Sequence, residues 1–130
     1  MTIVSLDIGL KRIGLAITYD EKIVLPLKAV IRKNRDQAAN EISLILKEKE
    51  VKKIIVGLPK GGSSEEEMRR RIEHFVNLLD FEGNIEYQDE FGSSQEAIEL
   101  IKGDIKIKRD GKIDSIAAMI ILKRYLGLPI

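Results

Sequence analysis

Residues 3–18 read IVSLDIGLKRIGLAIT, two short apolar runs separated by a glycine-containing junction. The first run extends from Ile3 to Ile8, and the second extends from Ile13 to Thr18. A third run, from Ile23 to Ile31, follows a short acidic stretch. Because apolar runs bounded by turn residues are typical of strands, this part of the chain predicts three consecutive strands joined by tight turns.

Helical and strand patterns alternate in the rest of the chain. Some segments repeat apolar residues at helical spacing, whereas others are short apolar runs. The predicted elements are a helix after Asn34, a strand at Lys53–Leu58, a helix capped by Ser64 and Glu67, a strand at Ile85–Glu90, a helix opened by Ser93, a polar loop at Lys102–Lys112 and a final helix whose apolar stripe contains Ile113, Ile116, Ala117, Ile120 and Ile121. Because parallel neighbouring strands need helical connections, this order predicts an α/β fold with a mixed sheet flanked by helices.

Size and composition limit the class of protein. The chain has 130 residues, of which 44% are hydrophobic and 33% are charged, as expected for a single soluble domain spanning residues 1–130. No apolar stretch is long enough to span a bilayer, and the N-terminal residues lack the basic start of a secretory signal. Since the chain has no cysteine and one histidine, thiolate metal sites, cysteine nucleophiles and multi-histidine metal centres are excluded.

The charges nearly balance. The chain has 22 Lys and Arg residues against 21 Asp and Glu residues, a net charge of +1, so the net charge does not indicate a polyanionic partner. Any nucleic-acid site therefore has to come from the local distribution of charge. Catalytic chemistry, if present, is expected to use carboxylates and a hard metal ion bound through oxygen.

Four acidic residues fall at predicted strand ends or at a helix start. Asp7 closes the first strand, and Asp89 and Glu90 close the last strand. Asp114 lies at the start of the final helix. In an open sheet of this kind, ligands bind beyond the carboxyl ends of the parallel strands. Because converging carboxylates repel each other unless cations neutralise them, the pattern predicts a magnesium or manganese site.

Two of these acids also have a structural explanation. Asp7 would cap the turn before Gly9, although its apolar neighbours disfavour a carboxylate that nothing neutralises. Asp114 would serve as a helix N-cap, a role for which Asp110 is also available, and the spacing alone does not decide between cap and ligand. The small side chain of Ala118, on the same helix face as Asp114, predicts a close approach of this helix to the sheet.

Asp89 and Glu90 are neighbours in a strand, so their side chains point to opposite faces of the sheet. Counting from Ile85 and Tyr87 places Asp89 on their side and Glu90 on the side of Glu86. Only one of the two acids is therefore expected to face the metal site. A bulge or the end of the strand would change which one it is.

Basic residues lie close in sequence to these acids. Because Lys and Arg position a nucleic-acid backbone through its phosphates, they are candidate substrate contacts. They are Lys11 and Arg12 in the turn after the first strand, Lys60 in the loop after the fourth strand, and Lys106, Lys108, Arg109 and Lys112 before the final helix. In contrast, Arg69–Arg71 are expected on the solvent face of a helix, and His74 is expected to be a partly buried structural residue.

Four segments carry a family resemblance. They are LDIGLKRIGLAIT at 6–18, IIVGLPKGGSSEEE at 54–67, DEFGSSQEA at 89–97 and KIDSIAAMIILKRYL at 112–126. In that order they resemble the four motifs of the YqgF-type pre-resolvase family, bacterial nucleases with a ribonuclease H-like fold. The resemblance covers nearly the whole chain, and its first and last motifs are specific. It implies a five-stranded sheet, with three antiparallel strands followed by two parallel ones, flanked by helices.

The resemblance also implies an activity. Its members are regarded as cytoplasmic nucleases that mature the 5′ end of the small-subunit (16S) ribosomal RNA precursor, and they were earlier proposed to resolve Holliday junctions. Asp7 matches the first catalytic aspartate of the family, and Asp114 matches the last. Asp89 and Glu90 match the second acidic motif, with Glu90 favoured as the ligand. One departure is Phe91, which stands where the family usually has an arginine.

The expected function is therefore that of a metal-dependent nuclease. Two Mg²⁺ or Mn²⁺ ions about 4 Å apart, held by Asp7, Glu90 and Asp114, would activate water and stabilise the leaving oxygen. The expected partner is nucleic acid, precursor ribosomal RNA rather than branched DNA, and the chain is expected to act as a monomer or a homodimer, with no membrane partner.

Alternatives to this function stay open. One is a Holliday junction resolvase that acts on branched DNA, and another is a non-catalytic RNA- or ribosome-binding module of the same fold, which Phe91 leaves possible. A nucleotide-clamping ATPase of the actin and sugar-kinase type is disfavoured, because 130 residues leave no room for its second lobe.

Overall fold

The structure is a computed structural model that describes residues 1–60, 64–89 and 111–130. The order of its elements follows the predicted order in these ranges. The elements are β1 (Ile3–Ile8), β2 (Arg12–Thr18), β3 (Leu25–Ile31), α1 (Arg35–Glu48), β4 (Lys53–Leu58), α2 (Glu65–Asn77), β5 (Asn84–Asp89) and α3 (Lys112–Leu126). The predicted helix at Ser93 and most of the predicted loop before Lys112 lie outside the described residues.

The five strands form one sheet in the order β3-β2-β1-β4-β5. β1 pairs with β2 and β2 pairs with β3 in antiparallel fashion, whereas β4 is parallel to both of its neighbours, β1 and β5. The predicted arrangement of three antiparallel strands followed by two parallel ones is confirmed. β4 reads as an almost uninterrupted apolar run because it lies inside the sheet and is covered on both faces.

Helices cover both faces of this sheet. The larger core lies between the sheet and the helices α1 and α2, and we call this side the α1/α2 face. Its buried members include Val4, Leu6 and Ile8 of β1, Ile42 of α1 and Phe75 of α2. The other side, the α3 face, buries Ile3, Ala16 and Ile55 of the sheet against Ala118 and Ile121 of α3. Because side chains alternate along a strand, successive residues of β1 point to opposite faces of the sheet.

The final helix lies unusually close to β2 because position 14 has no side chain. A Cβ atom on Gly14 would overlap the backbone carbonyl of Asp114. The predicted close approach at Ala118 is also confirmed, since this residue is fully buried and its carbonyl accepts a 2.6 Å hydrogen bond from the hydroxyl of Ser5. The hydroxyl of Ser115 donates a second such bond, of 2.7 Å, to the carbonyl of Leu27 on β3. These contacts fix the helix over the middle of the sheet.

The start of α2 differs from the sequence prediction, and the start of α3 decides an alternative that the spacing left open. Ser64 precedes α2 but its side chain makes no capping hydrogen bond, so the predicted capping box with Glu67 is wrong. The carboxylate of Glu67 instead accepts a 2.6 Å hydrogen bond from Arg71, one turn further along the helix. The N-cap of α3 is Gly111, which has a positive φ of 100°. Asp114 is therefore not the N-cap of this helix.

The start of β3 also differs from the prediction. The strand begins at Leu25 rather than at Ile23. The carboxylate of Asp20 accepts hydrogen bonds from the backbone N–H groups of Lys22 and Ile23, at 2.9 and 3.0 Å, and these bonds hold a turn there. The same bonds lower the pKa of Asp20.

Candidate active site

Asp7 lies near the carboxyl end of β1 and is partly buried. It follows Ile3 and Ser5 in the alternation of β1, so its side chain lies on the α3 face of the sheet. Its partner across the β1–β2 ladder is Gly14. This position is the carboxyl end at which a ligand site is expected in an open sheet.

Asp114 is the third residue of α3 and is only 5% exposed. Its backbone contacts Gly14, the residue that lies opposite Asp7 in the sheet. The two predicted acids, 107 positions apart in the sequence, are thus brought to the same glycine on the same face. The helix carries Asp114 there because the glycine leaves room for its first turn.

The carboxylate of Asp114 is held by an arginine. The Nε atom of Arg12 donates a 3.0 Å hydrogen bond to Oδ2 of Asp114, and these side chains are 23% and 7% exposed. A carboxylate this deeply buried needs such a charged partner. Arg12 was predicted to lie in the turn after β1 as a substrate contact, but it is the first residue of β2. Its guanidinium faces the helix start.

Asp89 occupies the other face of the sheet. It follows Ile85 and Tyr87 in the alternation of β5, and Ile85 packs into the core beneath α1 and α2. Burial and the nearby negative charge of Glu73 on α2 raise the pKa of Tyr87, as expected for a side chain on that face. The carboxylate of Asp89 forms a 3.0 Å ion pair with Lys60. The structure therefore does not bring Asp89 to Asp7 and Asp114.

The remaining predicted site residues fall into two groups. Lys11 and Lys112 are exposed, the first in the β1–β2 turn and the second at the start of α3. Lys60, predicted to contact substrate, is the exposed partner of Asp89. The candidates that lie outside the described residues are Glu90, Lys106, Lys108 and Arg109, together with Phe91.

A polar network at the opposite end of the strands had no counterpart in the sequence predictions. Nζ of Lys53, at the start of β4, lies 2.9 Å from the hydroxyl of Tyr125 on α3 and 2.9 Å from the carboxylate of Glu86 on β5. The Tyr125 hydroxyl donates a further 2.9 Å bond to Glu86. These bonds raise the pKa of Lys53 and lower that of Glu86. The network joins the end of α3 to two strands.

The chemistry of the two central carboxylates fits a hard metal ion. Aspartate oxygens are the ligands that Mg²⁺ and Mn²⁺ prefer, and Asp7 and Asp114 lie on one face at one end of the sheet. Within residues 1–60, 64–89 and 111–130, no group of three acidic or histidine side chains is arranged to hold a metal ion. The third predicted ligand, Glu90, lies outside these ranges.

The chain is similar to curated proteins over nearly its whole length. It is 57% identical over 128 residues to a protein of a Sulfurovum species, which covers 98% of this chain and 100% of the relative. It is 60% identical over 126 residues to a protein of Sulfurimonas denitrificans, with 97% of each chain covered. A protein of Campylobacter jejuni subsp. doylei is 58% identical over 125 residues, with 96% of each covered. All three carry the name "Putative pre-16S rRNA nuclease".

Solved structures share the fold at low sequence identity. The Holliday junction resolvase of fowlpox virus has a TM-score of 0.57 and 20% identity, with 98% of this chain and 99% of that chain covered. The RuvC protein of T. thermophilus, solved with a Holliday junction substrate, has a TM-score of 0.55 and 13% identity, with 98% and 96% covered. The sheet order and these neighbours identify the ribonuclease H-like fold. Residues 1–127 match the family model described as "RuvX: Holliday junction resolvase". The chain therefore belongs to the RuvX family.

Proposed function

We propose that this protein is a metal-dependent nuclease that hydrolyses phosphodiester bonds with Asp7 and Asp114 at its active site. The observation that carries the proposal is the meeting of these two acids at Gly14, on one face and at the carboxyl end of β1. The nuclease name of relatives that are 57–60% identical supports the reaction class. Asp114 is almost fully buried. Because burial of a carboxylate costs free energy, an aspartate without a function is expected at the surface instead.

The residues proposed to hold Mg²⁺ or Mn²⁺ are Asp7, Glu90 and Asp114. When bound, such ions lower the pKa of a water molecule and stabilise the leaving oxygen of the phosphodiester. Arg12 positions the carboxylate of Asp114 through its 3.0 Å hydrogen bond and offsets part of its charge. Lys11, exposed in the turn just after β1, is proposed to contact a substrate phosphate.

The proposed substrate is the precursor of 16S ribosomal RNA, because this is the substrate in the name of the curated relatives. Processing of that precursor implies a cytoplasmic location. A second candidate is a branched DNA junction, favoured by the description of the family model and by the two resolvase structures of the same fold. A resolvase makes two symmetric cuts and requires a dimer, whereas a monomer suffices to trim an RNA end. The oligomeric state therefore bears on the choice.

The decisive experiment compares cleavage of a 16S precursor and of a four-way DNA junction in Mg²⁺ and in Mn²⁺. We expect Asp7→Asn and Asp114→Asn to lower the rate at least about 100-fold, since a metal site supplies several kcal/mol of transition-state stabilisation. Asp80→Asn is the control, because Asp80 is an exposed acid paired with Lys47 on the surface. It should keep the wild-type rate.

Circular dichroism of each variant checks that the fold is retained. Full activity of either site variant would contradict the assignment of Asp7 and Asp114. Binding of the RNA precursor without any metal-dependent cleavage would favour the non-catalytic RNA- or ribosome-binding module.

A further inference from the structure

A concave site lies on the α1/α2 face of the sheet. It is a cavity of about 680 Å³ between the β1–β2 turn, the start of α1 and one side of α2. Its apolar lining comes from Ile8 and Leu10, at the end of β1 and in the turn after it, and from Met68 and Ile72 on α2. Within the described residues, neither acid of the candidate active site lines it. Asp7 and Asp114 lie on the other face.

The rim of this cavity is strongly basic. Of the described residues that line it, four are arginines, whereas Glu67 is the one carboxylate. Glu67 already accepts a 2.6 Å hydrogen bond from Arg71. Arg70 pairs with the carboxylate of Glu66 at 4.0 Å, and both of these side chains are largely exposed. Such an exposed pair contributes little energy, so Arg70 remains available to another anion.

The other two arginines are held in place by the fold. Arg32 is partly buried, and its guanidinium donates a 2.6 Å hydrogen bond to the carbonyl of Gly9 and lies 5.0 Å from the centre of the Phe75 ring. Burial, and then the positive charge of Arg35, lower the pKa of Arg32. The guanidinium groups of Arg32 and Arg35 therefore lie close enough to repel each other.

Arg35, the first residue of α1, reaches across the cavity to α2. Its guanidinium lies 3.3 Å from Nε2 of His74. His74 is exposed, so the expectation of a partly buried structural histidine is wrong. The contact ties the start of α1 to α2 and keeps Arg35 at the rim. Arg69–Arg71 are exposed, as predicted for the solvent face of α2. Arg70 and Arg71 also line this rim.

The cavity and the candidate active site meet at the end of β1. Asp7 points to the α3 face, whereas the next residue, Ile8, points to the other face and lines the cavity together with Gly9. The backbones of these two residues are neighbours, but their side chains lie on opposite faces of the sheet. A strand of nucleotides that contacts both places has to pass over this end of the sheet.

We propose that this cavity binds one unpaired nucleotide of the substrate strand, with its phosphate on Arg35 and Arg70 and its base against the apolar floor. The proposal rests on the proposed nuclease function and names the class of substrate, a single-stranded segment next to the cut bond. Arginines at the rim match a phosphate, and a concave apolar floor matches a base that is out of its stack. A duplex presents mainly its phosphates and keeps its bases stacked, so it does not fill such a floor.

The test measures binding of the full chain to a fluorescent single-stranded oligonucleotide by anisotropy, in EDTA so that no cleavage occurs. Arg35→Ala/Arg70→Ala is compared with Arg69→Ala, whose residue lies beside Arg70 on α2 and does not line the cavity. We expect the double variant to bind at least about tenfold more weakly, since each lost contact is a charge-assisted hydrogen bond. The slope of log K against log salt should become less steep by about 0.7, because the two arginines neutralise one phosphate and each neutralised phosphate contributes about 0.7 for single strands.

Arg69→Ala should keep both the affinity and the salt slope of the wild type. The conservative variant Arg35→Lys/Arg70→Lys should recover most of the salt slope, since the charges return without the guanidinium geometry. Equal affinities and slopes for the double variant and Arg69→Ala would overturn the proposal. If the double variant also lost affinity for a blunt duplex by the same factor, the assignment of an unpaired nucleotide would be overturned. RNA and DNA versions of the oligonucleotide determine which sugar the site takes.

This experiment separates the two proposals. If the double variant binds normally while Asp7→Asn abolishes cleavage, the nuclease function stands and the cavity is not a substrate site. If the double variant loses binding while no preparation of the protein cleaves in Mg²⁺ or Mn²⁺, the cavity stands as a binding site of a non-catalytic protein. Thermal melting of each variant checks that its fold is intact.

Discussion

At the scale of single residues, Gly14 and Arg12 have the largest effect on the candidate site. Gly14 makes room for the first turn of α3, and Arg12 holds the carboxylate that this turn carries. Neither residue is a proposed metal ligand. Both are positioning residues, because they act on the site through Asp114.

Substitution of Gly14 by alanine should destabilise the protein more than an ordinary glycine substitution. The new methyl group would overlap backbone atoms of Asp114 and Ser115, which move only if α3 moves. We expect a loss of about 3 kcal/mol or more in the free energy of unfolding, measured by urea denaturation. Gly127→Ala is the control, since a Cβ there meets open space and only its positive φ of 71° opposes it, a cost of about 1 kcal/mol. Similar midpoints for the two variants would contradict this packing.

Removal of the Arg12 guanidinium should take away a charged partner of a buried carboxylate. We expect Arg12→Ala to lower the free energy of unfolding by about 2–3 kcal/mol at pH 7. Arg71→Ala is the matched control, because Arg71 pairs with Glu67 on an exposed helix surface. It should change stability by less than about 0.5 kcal/mol. If both variants unfold at the same urea concentration, Arg12 does not hold Asp114 in solution.

At the scale of secondary-structure elements, α3 is attached to the sheet at several places along its length. Ser5 and Gly14 contact the first half of α3. The network of Lys53, Glu86 and Tyr125 holds its last turn. The helix therefore links the start of β4 and β5 to the candidate active site at the end of β1. A shift of this helix would move Asp114 relative to Asp7.

The network of Lys53, Glu86 and Tyr125 should make the stability of the protein depend on pH in the acidic range. Hydrogen bonds from Lys53 and Tyr125 lower the pKa of Glu86 in the folded protein. The contribution of Glu86 to the free energy of unfolding is therefore fully present at pH values above the ordinary carboxyl pKa. It is lost as the pH falls through the lowered pKa of Glu86 in the folded protein. In urea titrations between about pH 5 and pH 3, Glu86→Gln should show a shallower loss of stability than the wild type. Glu48→Gln, an exposed site on α1, should keep the wild-type slope, and equal slopes for all three proteins would contradict the role of the network.

At the scale of the whole molecule, one end of the sheet carries different chemistry on its two faces. The α3 face has the two central acids, and the α1/α2 face has the cavity with its arginines. The net charge of +1 is therefore the sum of separate acidic and basic regions. The acids lie where a cation is proposed to bind, and the arginines lie where a phosphate is proposed to bind. Among the described residues, no helix is long and apolar enough to cross a membrane.

The sequence predicted most of the fold because its signals are local. The apolar runs at residues 3–8 and 53–58 set the bounds of β1 and β4, and alternation assigned Asp89 to the same face as Ile85. Helical periodicity predicted α3 and its apolar stripe, and the small side chain of Ala118 predicted the close approach to the sheet. The errors were also local. Ser64 and Glu67 have the spacing of a capping box, but the side chain of Ser64 makes no capping hydrogen bond. The geometry of a cap depends on how the preceding residues enter the helix, which the spacing does not show.

The sequence by itself determined the order of the elements, the alternation of the two faces and the identity of the acids at the ends of the strands. Only the tertiary structure decided which distant residues meet. The pairing of Arg12 with Asp114, the contact of Gly14 with α3 and the cavity between Arg35 and Arg70 all join segments far apart in the chain. Periodicity reports which face of an element is buried, but it carries no information on the residue that lies across from it. The packing of whole helices against the sheet sets those neighbours.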